Sequence, residues 1–191
     1  ITNAQPWDNL KFDFEGIVEV QRKFFRALSN TYSFFSLYAN VDGFNSSIEY
    51  ISVKHRSELD QWIISKLNSL IEFVDEAYES YEPTRAGRAI QDFVVNDLGN
   101  WVVRLSRKRF WRGDFEHDKK AAYFTLYECL VKISQLAAPI APFYTDRLFQ
   151  DLTSGFSNES QSVHLTDFPV SVKSLINKDL EEKMELAQRA S

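Results

Sequence analysis

Residues 100 to 112 read NWVVRLSRKRFWR, and this stretch holds the sequence's most suggestive chemistry. From Arg104 to Arg112 there are five positive charges and no carboxylate, in a chain whose formal net charge is -5. On a helix, Asn100, Arg104, Arg107 and Trp111 fall at spacings of four, three and four and share one face. Guanidinium groups grip phosphates bidentately or stack on bases, and an indole offers a stacking platform. An Asn amide can both donate to and accept from a base edge. Bases splayed from a single-stranded RNA loop suit that mixture. A purely structural reading also fits. Arginines at a helix C-terminus complement the macrodipole, these could pair with Asp97, Asp114 or Glu116, and Arg107 could cover the Trp111 ring. Spacing alone does not decide between the two.

Other chemistry finds little support. There is no Gly-rich phosphate loop, no H-E-x-x-H and no cysteine cluster, and His55, His117 and His164 lie far apart in sequence. No catalytic residue and no metal ligand set is therefore assigned. The neighbouring carboxylates Asp75 and Glu76, or Glu181 and Glu182, sit in polar helical stretches, whereas acid and base catalysis needs two carboxyls in unlike environments. Cys129 lies on an apolar stripe and reads as a small buried hydrophobe. His164 reads as a partner for nearby backbone. The N-x-S sequons at Asn45 and Asn158 read as coincidence without a secretory route.

The elements that must position the basic stretch are helices. Ile17, Val20, Phe24, Leu28, Phe35 and Tyr38 follow the helical period from Glu15 to about Asn40, with Arg22 and Arg26 on other faces. VDGFNSSIEYIS is a connector rich in turn formers. Ser57 and Asp60 form a capping box for a helix over 57–80. Pro83 starts the next helix, whose stripe Ala86, Ile90, Phe93, Val94, Leu98, Trp101 and Leu105 runs to about Trp111, with Gly99 a possible bend and Gly113 the stop. A further helix covers 118–137, and Pro139 and Pro142 break the chain before one short helix carrying Phe143, Leu148, Phe149 and Leu152. The fold expected is all-α, an antiparallel helix bundle of about five helices over residues 1–153. Residues 154–191 then form a polar connector: a solvated loop, a short extended piece and the start of a linker helix.

With 191 residues, 44% hydrophobic and 15% aromatic, the chain can bury one substantial core. Its 22 Lys and Arg against 27 Asp and Glu argue against binding polyanions over the whole surface, so any such contact must be local. No apolar run approaches the roughly 18–20 residues that span a bilayer, so no membrane partner is expected. A lone cysteine and the absence of a leader point to a reducing, cytoplasmic setting. Starting at Ile, the chain is expected to be a piece of a longer protein.

The runs RALSNTYSFFSLYANVDGF, ELDQWIISKLNSL, AYESYEPTRAGRAIQDF, DFVVNDLGNWVVRLSRKRFW and SVHLTDFP, in that order along the chain, resemble isoleucyl-tRNA synthetases of class I in their eukaryotic-like branch. The resemblance covers nearly the whole chain. It implies the helical anticodon-binding domain that follows the catalytic domain, and hence the anticodon stem-loop of tRNA-Ile as partner. It implies ATP and magnesium only for the parent enzyme, whose catalytic, editing and C-terminal regions lie outside this chain; the HIGH-like and KMSKS-like motifs are absent here.

Carried over residue by residue, the resemblance implies Asn100, Arg104, Arg107 and Trp111 as loop contacts, with Lys108, Arg109 and Arg112 on phosphates. Arg22, Arg26 and Asn30 on the opening helix are secondary anticodon contacts, while Trp101, Tyr32, Phe34, Phe35 and Tyr38 are expected mainly to pack. Two alternatives remain: the corresponding domain of a valyl- or leucyl-tRNA synthetase, and a helical scaffold whose basic face docks an acidic protein.

Overall fold

Local chemistry sets most helix ends in the computed structural model, which describes residue 7 and residues 14–111, 115–156 and 161–190. Its α-helical segments are α1 (Phe14–Val20), α2 (Arg26–Asp42), α3 (Glu58–Glu79), α4 (Pro83–Asp92), α5 (Arg104–Trp111), α6 (His117–Ala137), α7 (Pro142–Thr153) and α8 (Lys178–Arg189). Among the described residues there is no strand. The Ser57 side chain accepts from the Asp60 amide and donates to the Asp60 carboxylate at 2.7 Å, completing the capping box of α3. Gly43, with φ of 68°, ends α2 while the Phe44 amide bonds Ala39 O at 2.8 Å. Tyr81 takes the same left-handed role after α3 at φ of 56°, a conformation that costs a side chain roughly 1–2 kcal/mol. The expected stop at Gly113 and the sequon at Asn158 lie outside the described residues.

Two of the rods are continuous helices with a π-helical middle. Gln21–Phe25 joins α1 to α2, and Phe93–Val103 joins α4 to α5. The chain reverses at each connection, so α2, α3, the α4–α5 rod, α6 and α7 alternate in direction, as expected for an antiparallel bundle. Next-but-one rods consequently run the same way. Phe24 and Ile90 line one cavity, Thr31 lies beside Gly99, and the Tyr38 ring meets Phe110.

α3 and α6 form the centre and bury half or more of their residues. Leu28, Ile63, Ile64, Leu126, Leu130 and Ile133 are among the wholly buried side chains. At one end an aromatic cluster closes the core, with Phe110 edge-on to Tyr123 at 4.9 Å and to Phe34 at 5.0 Å. Arg56 is buried beside it, bonded to Ile51 O at 2.9 Å, Thr125 Oγ1 at 3.1 Å and Glu128 at 2.6 Å. Such a cation survives burial because each of its donor groups finds an acceptor.

The π-helical turns correct one expectation. The stripe follows Ala86, Ile90, Phe93, Val94 and Leu98 as read, then continues through Val102, Val103, Ser106 and Phe110 rather than through Leu105. Leu105 is 50% exposed. An i→i+5 turn takes one residue more than an α-turn, so the buried face arrives one position late.

The C-terminal stretch returns to the bundle. The Val172 amide donates to Asn68 Oδ1 at 2.7 Å and the Asn177 amide to Ser65 Oγ at 2.7 Å. Glu181 of α8 accepts from the hydroxyls of Ser65 at 2.5 Å and Ser69 at 2.8 Å.

Candidate nucleic-acid interface

The register shift decides what α5 offers to solvent. With Ser106 and Phe110 turned inward, Asn100, Arg104, Arg107, Lys108 and Trp111 are all exposed. Trp111 is 61% exposed. Arg104, Arg107 and Lys108 carry no hydrogen bond or ion pair among the described residues; of the partners suggested by sequence, Asp97 is occupied elsewhere, Asp114 lies outside the described residues, and Glu116 makes no ion pair with these cations. Asp97 faces Lys66 at 3.7 Å and the Gln188 amide at 3.4 Å, and burial raises its carboxyl despite Lys66. Asp114 and Arg112 lie outside the described residues. Arg107 makes no cation–ring contact with Trp111.

Arg109 behaves differently from its neighbours. Its guanidinium reaches inward, donating to both oxygens of Asp60 at 2.9 and 2.6 Å and, through Nε, to Asp118 at 3.0 Å. It also donates to the Asp118 carbonyl at 2.8 Å. Burial pulls this guanidinium down, but bonding to Asp60 and Asp118 outweighs that and holds it above its ordinary value. The Asp60 side chain is 1% exposed. Arg109 therefore clamps α5 to the N-termini of α3 and α6, which withdraws it from the set expected to meet phosphates.

Trp101 is half-buried against the core, and its indole N–H is buried without an acceptor among the described residues. Phe35 is core, whereas Tyr32, Phe34 and Tyr38 are half-buried and packed on it, so these aromatics serve the bundle.

Arg22, Arg26 and Asn30 are exposed on the opening rod, at intervals of four. The two arginines line a cleft of about 690 Å³ with Val18, Gln21, Phe25, Ser29 and Tyr144 of α7. Inside it the Ser29 and Tyr144 hydroxyls bond at 2.8 Å, and the Phe25 and Tyr144 rings meet edge-on at 5.0 Å. Asn30 stands beside Thr31, which lies close to Gly99, and so neighbours the level of Asn100.

Residues 60–191 match the family described as the anticodon-binding domain of tRNA ligase. The chain belongs to that family. Relatives include the isoleucine–tRNA ligase of Cytophaga hutchinsonii, 59% identical over the whole chain, and that of Bacteroides thetaiotaomicron, 56% identical over 98% of it. The isoleucine–tRNA ligase of Clostridium tetani is 43% identical over 98% of the chain. The chain spans 17%, 16% and 18% of the length of these three.

Within this anticodon-binding domain, burial separates the groups that reach solvent from those that do not. Burial pushes the Cys129 thiol well up, which leaves it an unreactive core group. His164 bonds Pro142 O through its ring at 3.2 Å, a local backbone contact. Among the described residues no cluster of three or more His, Cys, Asp or Glu could hold a metal ion, and no helix is long and apolar enough to cross a membrane. Sequence reasoning missed Tyr144 and Arg56. Tyr144 enters only through the packing of α7 on the opening rod, and nothing local marks Arg56 as buried.

Proposed function

We propose that this chain is the anticodon-binding domain of an isoleucine–tRNA ligase, and that the exposed side of α5 holds the anticodon loop of tRNA-Ile. One observation carries the reading: three cations without a partner among the described residues, Arg104, Arg107 and Lys108, stand with Asn100 and an exposed Trp111 on the outside of an acidic protein. Charge left uncompensated in that way suits a polyanion, and the indole and amide suit splayed bases. The names of the relatives support isoleucine over valine or leucine.

In this reading Asn100, Arg104, Arg107 and Trp111 meet the loop, and Lys108 meets phosphate. Arg112, outside the described residues, joins Lys108 on the strength of sequence alone. Residues 1–153 form the binding bundle, and 154–191 connect it to the rest of a cytoplasmic enzyme. The parent would use ATP and magnesium, in regions outside this chain, to form the aminoacyl-adenylate and charge the tRNA. It would also need editing against valine, because one methylene gives only about 1–3 kcal/mol of discrimination.

The test is a fluorescence titration of the chain with a tRNA-Ile anticodon stem-loop, a scrambled-loop control and the Arg104→Ala variant at two salt concentrations. Loop-selective binding that weakens with salt and is lost in the variant is expected. Binding indifferent to loop sequence, or none at all, would overturn the reading.

A further inference from the structure

One face of α3 changes character half-way along the helix. Ser65, Ser69, Glu72 and Glu76 fall at spacings of four, three and four and share that face. α8 covers its first half, where Glu181 accepts from both serine hydroxyls. Beyond α8, Glu72, Asp75, Glu76 and Glu79 are all exposed, and none makes an ion pair among the described residues. Arg85 of α4, which feels the charge of Glu76, is itself bound to Glu82.

The stretch 168–173 runs beside these carboxylates, and together they enclose a groove of about 430 Å³. Ile71, Phe168, Pro169 and Val170 give it apolar lining, and Val170 is 82% exposed. Lys173 is the single cation in the lining among the described residues. The Ser171 hydroxyl, on the same wall, is buried with no partner among the described residues. The groove therefore joins apolar surface, an unused hydroxyl and a row of carboxylates.

That chemistry selects the occupant. Carboxylates repel phosphate, so the groove does not continue the RNA face of α5. A polypeptide segment with an apolar side chain and several Lys or Arg complements it. Exposed ion pairs are each worth only about a factor of 1.4 to 5 in affinity. Nine lining residues also fall short of the roughly 20–30 a side that hold free proteins together. A tethered segment needs much less, because a linker holds it at roughly millimolar effective concentration. The chain spans 17%, 16% and 18% of three relatives, so most of a related polypeptide is there to supply one.

We propose that this groove docks a basic segment of the longer polypeptide, its apolar side chain resting between Ile71 and Val170 and its cations facing Glu72, Asp75 and Glu76. The inference takes from the reading above only that the chain is one part of a longer ligase. It is independent of where RNA binds.

The experiment places the photo-cross-linker p-benzoylphenylalanine at Val170 of the full-length protein. It is irradiated in the wild-type background and with Glu72→Gln/Asp75→Asn/Glu76→Gln, at low and high salt, in a mixture of isotopically light and heavy copies. Mass spectrometry should find light–light and heavy–heavy cross-links to a Lys- or Arg-rich segment outside residues 1–191. Their yield should fall about threefold or more in the neutralised variant and in high salt. A cross-link to residues 1–13 would mean that the chain fills its own groove, light–heavy pairs would mean a second copy, and a cross-link to another protein would mean a separate partner. Each of these overturns the proposal, as does a yield equal in both backgrounds or no cross-link at all. Stem-loop titration of the same proteins keeps the two readings apart, since the neutralised variant should bind RNA as the wild type does. Stem-loop binding without the expected cross-link sinks the groove alone, and the expected cross-link without stem-loop binding sinks the RNA reading alone.

Discussion

Replacing Arg109 by alanine separates architecture from recognition within one run of cations. The variant leaves Asp60, 1% exposed, facing a hole where a bidentate partner had been. Removing one partner of a buried pair costs about 3–5 kcal/mol. Asp60 keeps the Ser57 hydroxyl bond and the positive end of α3, the latter worth about 0.3–1 kcal/mol, so the net loss should be roughly 3 kcal/mol. For a chain of this size that lowers Tm by about 6–12 °C. Thermal unfolding followed by circular dichroism measures it, with Arg104→Ala expected within about 2 °C of wild type because the residue is exposed and has no partner among the described residues. A double-mutant cycle with Asp60→Ala should give a coupling of about 1–3 kcal/mol, since the second deletion removes the stranded charge. Should Arg109→Ala melt like the wild type and lose RNA affinity as Arg104→Ala does, the clamp assignment is refuted and Arg109 returns to the binding face.

Three further outcomes follow from burial and charge. Trp111→Ala should weaken loop binding and leave the melting curve in place; unfolding of that variant would show that the indole packs. Phe110→Ala, only one position away, should cost about 3–5 kcal/mol by emptying the aromatic cluster at Tyr123 and Phe34, read as a shift of the urea midpoint, and half-buried Trp101→Ala should cost less. Acid should loosen α8: burial alone would raise the Glu181 carboxyl, but bonds from Ser65, Ser69 and Lys178 hold it below the usual value. A carboxyl lowered by folding contributes stability above its unfolded pKa of about 4.3 and loses it as pH falls through the folded value, so NMR shifts of α8 amides should move in that window and stay fixed in Glu181→Gln.

The helical period was strong enough to read most of the bundle in one dimension. Ile63, Leu67, Leu70 and Val74 recur at three- and four-residue intervals because each must reach the same core, and Ser57, Asp60 and Pro83 announce helix starts by chemistry that acts within one turn. The exposure of Asn100, Arg104, Arg107 and Trp111 was legible for the same reason. The stripe lost its register at Trp101 and Leu105, because nothing in DFVVNDLGNWVV signals that its turns close i→i+5.

The sequence by itself determined that this chain is helical and acidic, with a compact island of cations and indoles between two apolar stripes. Only the tertiary structure decided which cations remain available. Arg104, Arg107, Lys108 and Arg109 are near neighbours in composition and sequence, yet Arg109 alone lies where packing brings α3 and α6 close enough for Asp60 and Asp118 to neutralise it. A guanidinium's role depends on the carboxylates within about 3 Å of it, and those came from residues 49 positions before and nine after. Separations of that kind are set by how helices pack, which no local period encodes.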